Sequence, residues 1–142
     1  LKNENVPSIH ARVQMREDKV FHLHAVHPVP PKPSKHPDNV GEKEIALVKV
    51  GNMVANEKLP SVVAGDFNDV AWSKTSRLFK EDGELNDIRV GRGFYNTFNA
   101  HSALLRWPLD HVYVTREFKV RAIERLAKIG SDHFPYYVEL IL

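Results

Sequence analysis

The sequence of 142 residues contains no cysteine, which excludes a disulfide framework and a thiolate metal site. It leaves the redox compartment undecided, with the cytoplasmic side favoured. No apolar run reaches the roughly 18 residues that a transmembrane helix needs, so no membrane span is predicted in this segment. Charge of one sign is also lacking, because 20 Lys and Arg stand against 18 Asp and Glu, for a net charge of +2. So balanced a charge gives no electrostatic reason to expect nucleic acid or anionic lipid as a partner.

The composition is that of one globular domain, with 42% hydrophobic and 27% charged residues. A chain of this size buries about two thirds of its unfolded surface, enough for one core. The eight histidines are the notable excess, because imidazole serves proton transfer and metal binding near neutral pH. The chain opens on Leu1 and soon enters strand-like alternation, which predicts a segment cut from a longer protein.

The first part of the chain is predicted to form a hairpin, a loop and a helix. Apolar and polar residues alternate over 8–16, the period of a half-buried strand, and the β-forming run 20–27 predicts its antiparallel partner. The prolines of 29–37 predict an extended loop. A helix is expected from residue 38 or 39 to about 56, since Asp or Asn can cap it. Its apolar stripe consists of Val40, Leu47, Val50 and Val54.

The second part is predicted to hold a short helix among strands. Residues 61–64 form an apolar strand, and Ser73 caps a helix that carries Leu78 and Phe79 inward. The polar, glycine-dotted segment 81–93 is expected to be a surface loop. Four further strands are predicted, at 95–98, 109–115, 118–126 and 134–142. About seven strands and two helices predict an α+β fold, with helices on one face of a mixed, mostly antiparallel sheet.

Polar residues gather where the predicted strands stop. The four stretches are His27-Pro28, Gly65-Asp66-Phe67-Asn68, Leu109-Asp110-His111 and Ser131-Asp132-His133-Phe134-Pro135. For any one of these stretches taken alone, a role as a turn former is favoured over a role in chemistry by roughly three to one. The reason is that Asp and Asn side chains form hydrogen bonds with their own backbone. Taken together they predict a site, because strand ends of one sheet can meet and because a cation and a phosphate ester need oxygens and imidazoles.

These stretches, with Leu-Asp-His-Val-Tyr-Val-Thr at 109–115, occur in an order and spacing that resemble the endonuclease/exonuclease/phosphatase superfamily. The best-known fold of that superfamily is that of deoxyribonuclease I, and the resemblance covers essentially the whole chain. It implies that residues 1–142 are the C-terminal half of a four-layer α/β/β/α sandwich. It also implies Mg²⁺- or Mn²⁺-dependent hydrolysis of a phosphodiester or phosphomonoester by in-line attack of water. The substrate would be nucleic acid or a phospholipid-type headgroup.

The resemblance also implies residue roles. Asp66 would orient a water or hold the cation, and Asn68 would donate to a phosphate oxygen without adding charge. Asp132 would be a metal ligand together with Asp66. His133 would face the scissile phosphate, and Asp110 would hold its far nitrogen and raise its basicity.

The remaining histidines receive different interpretations. By the resemblance, His27 would be a second imidazole that stabilises charge on the phosphoryl oxygens. His22 and His24 alternate along a strand, which favours packing or surface roles by roughly four to one. His111 follows Asp110 directly and points to the opposite face, so it is left out of the site.

The sequence departs from the family pattern in its length. The family domain is normally about twice as long, and its first half supplies the glutamate that is the principal metal ligand. That ligand is missing from this chain, for which Glu4 and Glu17 are poor substitutes, so this fragment by itself is expected to be inactive. The half-domain is expected to be a single sheet with one apolar face uncovered, which predicts a homodimer through that face.

Two other functions stay open. One is a non-catalytic interaction fragment or a degenerate copy of the fold. The other, weighted lowest, is nucleic-acid binding without catalysis, since scattered arginines are usually solvated. The residues concerned are Arg89, Arg92, Tyr95, Arg106 and Trp107. Residues 69–73 and 105–108 are similar to a bacterial branch with N-terminal membrane helices, which implies a membrane-anchored parent protein.

Overall fold

The computed structural model describes residues 8–16, 18–28, 38–70 and 73–142. Its elements are β1 (Ser8–Arg16), β2 (Lys19–Val26), α1 (Asp38–Asn56), β3 (Ser61–Asp66), α2 (Lys74–Asp82), β4 (Asn86–Asp87), β5 (Asp110–Val114), β6 (Lys119–Arg125) and β7 (Tyr136–Ile141). Five strands form one sheet in the order β1-β2-β3-β5-β4, and β6 pairs with β7 in a second sheet. The predicted α+β class, with a mixed sheet and two helices, is confirmed. None of the described helices is long and apolar enough to cross a membrane.

The strand pairing follows from the connections. β1 and β2 form the predicted antiparallel hairpin, in which Val13 pairs with Phe21. β2 and β3 are parallel, which requires a crossover, and α1 supplies it. β5 then runs antiparallel to β3 and pairs Asp110 with Asp66. The end of β2, the end of β3 and the start of β5 therefore lie at one edge of the sheet.

The helices cover one face of the five-stranded sheet. The core between them consists of Val26, Leu47, Val50, Val54, Val63, Phe67, Phe79, Leu85 and Tyr113. Burial of each such side chain contributes about 1.5–3 kcal/mol. The predicted stripe of α1 is thus confirmed at its three buried positions, while the side chain of Val40 lies outside the described part.

The second helix begins as predicted but buries less. The Ser73 hydroxyl accepts a hydrogen bond from the Ser76 amide and caps α2. Phe79 is fully buried, whereas Leu78 is 39% exposed, so the expectation that both point inward is wrong. Successive residues of a helix lie about 100° apart, and the narrow buried stripe of α2 accommodates only one of the two.

Two predicted segments differ from the structure. Residues 81–93 are not a surface loop throughout, because β4 pairs with β5 there and Leu85 and Ile88 are buried. Residues 95–98 form no strand, and Phe98 makes only isolated bridges, to Trp107 and His133. The predicted loop at 29–37 lies outside the described residues.

The expectation of a single sheet is also wrong. β6 and β7 place apolar side chains, including Ile123 and Val138, against the face opposite the helices, where they meet Val62 and Val112. The chain therefore covers the centre of that face itself, a long-range packing that strand patterns do not reveal. On the edge strand β1, Ile9 remains 70% exposed. A homodimer through this face stays a prediction, with less bare surface than expected.

A buried polar network lies under the helix-side core. Arg89 is 6% exposed rather than solvated, and its Nη2 and Nε donate to the two oxygens of Asp87 at 2.9 and 3.1 Å. Nη2 also lies 2.6 Å from Nδ1 of His111, to which the Tyr113 hydroxyl donates at 2.9 Å. Burial, with the charge of Arg89, lowers the pKa of His111 to about 4, so that imidazole is neutral. Its Nε2–H donates to the carbonyl of Asp69 at 2.7 Å.

Removal of the Asp87 carboxylate is expected to destabilise the fold strongly. The variant Asp87→Ala leaves the guanidinium of Arg89 buried without its counter-charge, which costs about 3–5 kcal/mol in the free energy of unfolding. Urea denaturation measures the loss. Glu139→Ala is the matched control, because its ion pair with Arg121 is exposed and its removal costs about 1 kcal/mol or less. Equal effects of the two substitutions would contradict a structural role for the buried pair.

Candidate active site

The sheet register brings two aspartates to one edge. Asp66 ends β3 and Asp110 begins β5, and the two residues are paired across the strands. Side chains alternate along a strand, and Val63 and Tyr113 face the helices. Asp66 and Asp110 therefore point to the other face, the one that the β6–β7 sheet covers farther along.

The end of β3 and the turn after it have backbone conformations that few residue types adopt. Gly65 has a φ of 153°, and a Cβ there would overlap the carbonyl of Val26 on the neighbouring strand. Asn68 has a φ of 48°, in the left-handed region that Asn tolerates. Its amide donates to Oδ1 of Asp66 at 2.8 Å, and its Nδ2 donates to the carbonyl of Pro28 at 3.0 Å. Asn68 thus fixes the Asp66 carboxylate and ties the ends of β2 and β3 together.

Two imidazoles flank the Asp66 carboxylate. Nε2 of His27 and Nε2 of His133 each lie 3.7 Å from Oδ2 of Asp66. His27 is 57% exposed, whereas His133 is 24% exposed. Nδ1 of His133 donates to Oδ2 of Asp110 at 2.7 Å, so the hydrogen bond expected between these residues is present. The structure therefore brings together four of the residues that the sequence singled out: His27 and His133 at the Asp66 carboxylate, and Asp110 behind His133.

The loop that carries His133 is held by a segment whose role the sequence did not reveal. The Phe134 amide donates to the carbonyl of Thr97 at 2.8 Å, and the Ala100 amide donates to that of Asp132 at 2.7 Å. The Phe98 ring lies 5.0 Å from the His133 ring. Thr97 is fully buried and its hydroxyl accepts from the Asp110 amide at 3.2 Å. The apolar and β-branched residues of 95–98 were the available signal, but they predicted a strand.

The carboxylates around His133 favour its charged form. Partial burial opposes protonation, but the hydrogen bond and charge of Asp110 outweigh it, and Asp66 and Asp132 add to the effect. The pKa of His133 is therefore raised above its ordinary value. The imidazolium, which can donate a proton from Nε2, persists to higher pH than in a free histidine.

The two expected metal ligands are not preassembled. Asp132 is exposed, and its Oδ1 accepts from its neighbour Ser131 at 3.4 Å. Among the described residues, Asp66 and Asp132 do not belong to any group of three ligand atoms close enough to hold an ion. Mg²⁺ takes one or two carboxylates and completes its shell with water or phosphate. Asp66 and Asp132 have the carboxylate oxygens that Mg²⁺ takes, and their role as its ligands stays a prediction.

Comparisons with known proteins identify the family of the chain. The model of the Endonuclease/Exonuclease/phosphatase family matches residues 2–133. No curated protein matches the chain.

Solved structures share the fold at low sequence identity. The endonuclease/exonuclease/phosphatase from Beutenbergia cavernae is 20% identical with a TM-score of 0.71, over 95% of this chain and 39% of that one. The human Nocturnin catalytic domain with bound sulfate is 18% identical with a TM-score of 0.66, over 93% and 53%. A mannosyl-6-phosphatase from Bacteroides thetaiotaomicron is 22% identical with a TM-score of 0.53, over 87% and 51%.

The chain thus spans about half the length of the solved structures that it matches. Its fold, its strand-end motifs and the family model agree over nearly its whole length. By this evidence the chain belongs to the endonuclease/exonuclease/phosphatase family.

Proposed function

We propose that the protein of which this chain is part is a metal-dependent phosphoesterase that hydrolyses its substrate by in-line attack of water. Members of the family are hydrolases that act on phosphoester bonds. The observation that carries the proposal is the placement of the Asp66 carboxylate between two imidazoles, one of which is bound to Asp110. A carboxylate beside imidazoles suits the handling of water, protons and phosphoryl oxygens.

The proton chemistry is assigned to His133. Its Nδ1–H is fixed on Asp110, which leaves Nε2 pointing towards Asp66 and the open edge. As an imidazolium it donates a hydrogen bond from Nε2 to a phosphoryl oxygen, or a proton to the leaving oxygen. Asp110 keeps the ring oriented and stabilises its positive charge.

The other residues bind and orient. His27 is exposed at the rim and donates from Nε2 to a second phosphoryl oxygen. Asp66 orients the attacking water or holds the cation, while Asp132 supplies a further oxygen donor. A bound Mg²⁺ or Mn²⁺ would supply charge neutralisation on the phosphate. Asn68 keeps Asp66 in place through its backbone amide, and the donation of its carboxamide to phosphate is part of the proposal.

The substrate class is a phosphate ester, either nucleic acid or a smaller phosphorylated headgroup. One neighbour in structure is named for phosphatase activity on a mannosyl 6-phosphate, and another holds a sulfate anion. Both support a phosphate ester as the substrate class. The metal-dependent activity itself is proposed for the complete protein, with this segment contributing the two imidazoles and three aspartates.

Loss of either central side chain is expected to abolish most of the activity. In the complete protein, His133→Ala and Asp66→Ala should each lower kcat by a factor of about 10² or more, the size of a general acid–base contribution. Hydrolysis of bis(p-nitrophenyl) phosphate and p-nitrophenyl phosphate measures the rate. His101→Ala is the control, because that histidine is exposed and its side chain contacts only Lys128 among the hydrogen bonds described. A variant at residue 66 or 133 with near-full rate would remove that residue from the mechanism.

The pH dependence of the reaction should report the His133–Asp110 hydrogen bond. If the imidazolium is the active form, kcat/KM falls as pH rises through the raised pKa of His133. Asp110→Asn removes the negative charge, so the pKa falls and the alkaline limb moves to lower pH. A pH–rate profile and an NMR titration of His133 measure the shift. An alkaline limb that does not move would contradict the role of Asp110.

The isolated segment 1–142 is expected to hydrolyse neither bis(p-nitrophenyl) phosphate nor p-nitrophenyl phosphate, and to bind Mg²⁺ poorly. Mg²⁺ gives up water reluctantly, and the principal glutamate ligand implied by the family pattern is not in this sequence. Assays of the segment and of the complete protein at matched concentration test this. Robust metal-dependent hydrolysis by the segment alone would show that its own residues complete the site.

A further inference from the structure

Three ligand-type side chains converge away from the candidate active site. Nδ1 of His22 lies 2.7 Å from Oε2 of Glu57, and Nε2 of His24 lies 3.1 Å from the same oxygen. We call His22, His24 and Glu57 the histidine cluster. In the described parts of the chain, it is the one group of three His, Asp or Glu residues whose ligand atoms all lie within 4.8 Å of one another.

The fold builds the histidine cluster from two elements. His22 and His24 are two residues apart on β2, so both side chains lie on the face that carries the helices. Glu57 follows α1 directly, in the connection that leads to β3. The parallel pairing of His22 with Ser61 brings that connection beside β2, and the His22 amide donates to the carbonyl of Pro60 at 2.8 Å.

The histidine cluster is separate from the candidate active site. Asp66 and Asp110 lie on the opposite face of the sheet, at the edge where β3 ends. Glu57 precedes the start of β3, at the other end of that strand. A ligand of one group therefore does not reach the other.

One atom of the cluster lacks a hydrogen-bond partner within the described part of the chain. Nδ1 of His22 is buried and makes no hydrogen bond to any described residue, although the Glu57 oxygen is only 2.7 Å away. The two atoms are at ion-pair distance, but their contact is not a hydrogen bond. Buried polar atoms almost always have a partner, so Nδ1 of His22 is available to a ligand, while Oε2 of Glu57 already contacts His24 and Ser61. His24 is 1% exposed, so the cluster lies in a part of the protein that is largely closed to solvent.

We propose that the histidine cluster binds one transition-metal ion of the Zn²⁺ class. Its ligands are Nδ1 of His22, Nε2 of His24 and the carboxylate of Glu57, with water in the fourth position. Imidazole and carboxylate are ligands that Zn²⁺ takes at about 2.0–2.2 Å, which sets tetrahedral ligand atoms roughly 3.3 Å apart. The separations of 2.7 and 3.1 Å between the Glu57 oxygen and the two imidazole nitrogens reach that value with shifts of a few tenths of an ångström. Mg²⁺ is disfavoured, because it prefers oxygen ligands.

The surroundings of the cluster supply the second layer of hydrogen bonds that metal-binding side chains need. Nδ1 of His24 lies 2.8 Å from Nδ1 of His10, and Nε2 of His10 lies 3.1 Å from the Ser8 hydroxyl. With metal on Nε2, His24 donates from Nδ1 to His10, which donates from Nε2 to Ser8. The Ser61 hydroxyl donates to Oε2 of Glu57 at 3.1 Å. Such partners fix the tautomer and orientation of metal ligands.

A bound ion would join the β1–β2 hairpin to the connection between α1 and β3. These elements otherwise meet through backbone pairing and the helix-side core. Because the ion binds only the folded arrangement, it stabilises the fold in proportion to its affinity. The role is structural, and it does not depend on the phosphoesterase proposal.

The test uses the protein purified without a polyhistidine tag and treated with chelator. Zn²⁺ is titrated by calorimetry, and Co²⁺ by the visible absorption of four-coordinate cobalt. We expect the titration to saturate at one Zn²⁺ ion per chain. The midpoint temperature of thermal unfolding should rise with the concentration of Zn²⁺. Glu57→Gln and His22→Asn should each weaken binding by more than about 100-fold, since even outer partners are worth 10–100-fold. Circular dichroism checks that each variant is folded, and His22→Asn serves if Glu57→Gln does not fold.

Two controls separate this site from others. His101→Asn removes an exposed histidine elsewhere and should leave the affinity for Zn²⁺ unchanged. Asp66→Asn alters the candidate active site and should also leave it unchanged. The proposal is overturned if the unaltered protein shows no saturable Zn²⁺ binding, if both cluster variants bind normally, or if Asp66→Asn removes the ion.

Discussion

The parallel pairing of β2 with β3 is the constraint on which the rest of the structure depends. A parallel pair needs a crossover, and α1 provides it while covering one face of the sheet. The same pairing places the ends of both strands at one edge, so His27 and Asp66 meet. The two backbones approach so closely that residue 65 must lack a side chain. Core, edge and site are therefore consequences of one strand register.

The electrostatics of the edge follow from that geometry. Asp66 and Asp110 are paired across β3 and β5, so two carboxylates share one face. His133 lies between them, bonded to one and 3.7 Å from the other, and its raised pKa reflects their combined charge. The fold thus concentrates negative charge where imidazoles can balance it. Under the proposed function, a phosphate and a cation would each alter that balance on binding.

The helix-side face of the sheet carries two groups of polar side chains that differ in their hydrogen bonding. In the first group, Asp87, Arg89 and His111 form a buried network. Its members are hydrogen-bonded to one another and to the carbonyl of Asp69. Such a network costs desolvation, which its internal bonds offset only when they are complete. The histidine cluster lies on the same side of the sheet, and one of its nitrogens has no hydrogen bond to any residue that the structure describes. This difference is why we interpret the Asp87–Arg89–His111 network as structural and propose a ligand only for the histidine cluster.

Local sequence determined the elements whose signals are local. The alternation of apolar and polar residues predicts the β1–β2 hairpin, and the helical spacing of apolar residues predicts α1. Ser73, as the N-cap, marks the start of α2. The strand-end motifs also identified the residues around Asp66, because turns and special backbone angles depend on nearby residues. Only the tertiary structure decided the burial of Arg89, the separate β6–β7 sheet and the meeting of Glu57 with two histidines. Each of these depends on segments distant in sequence, whose contacts follow from the closure of the whole sheet and not from any local pattern.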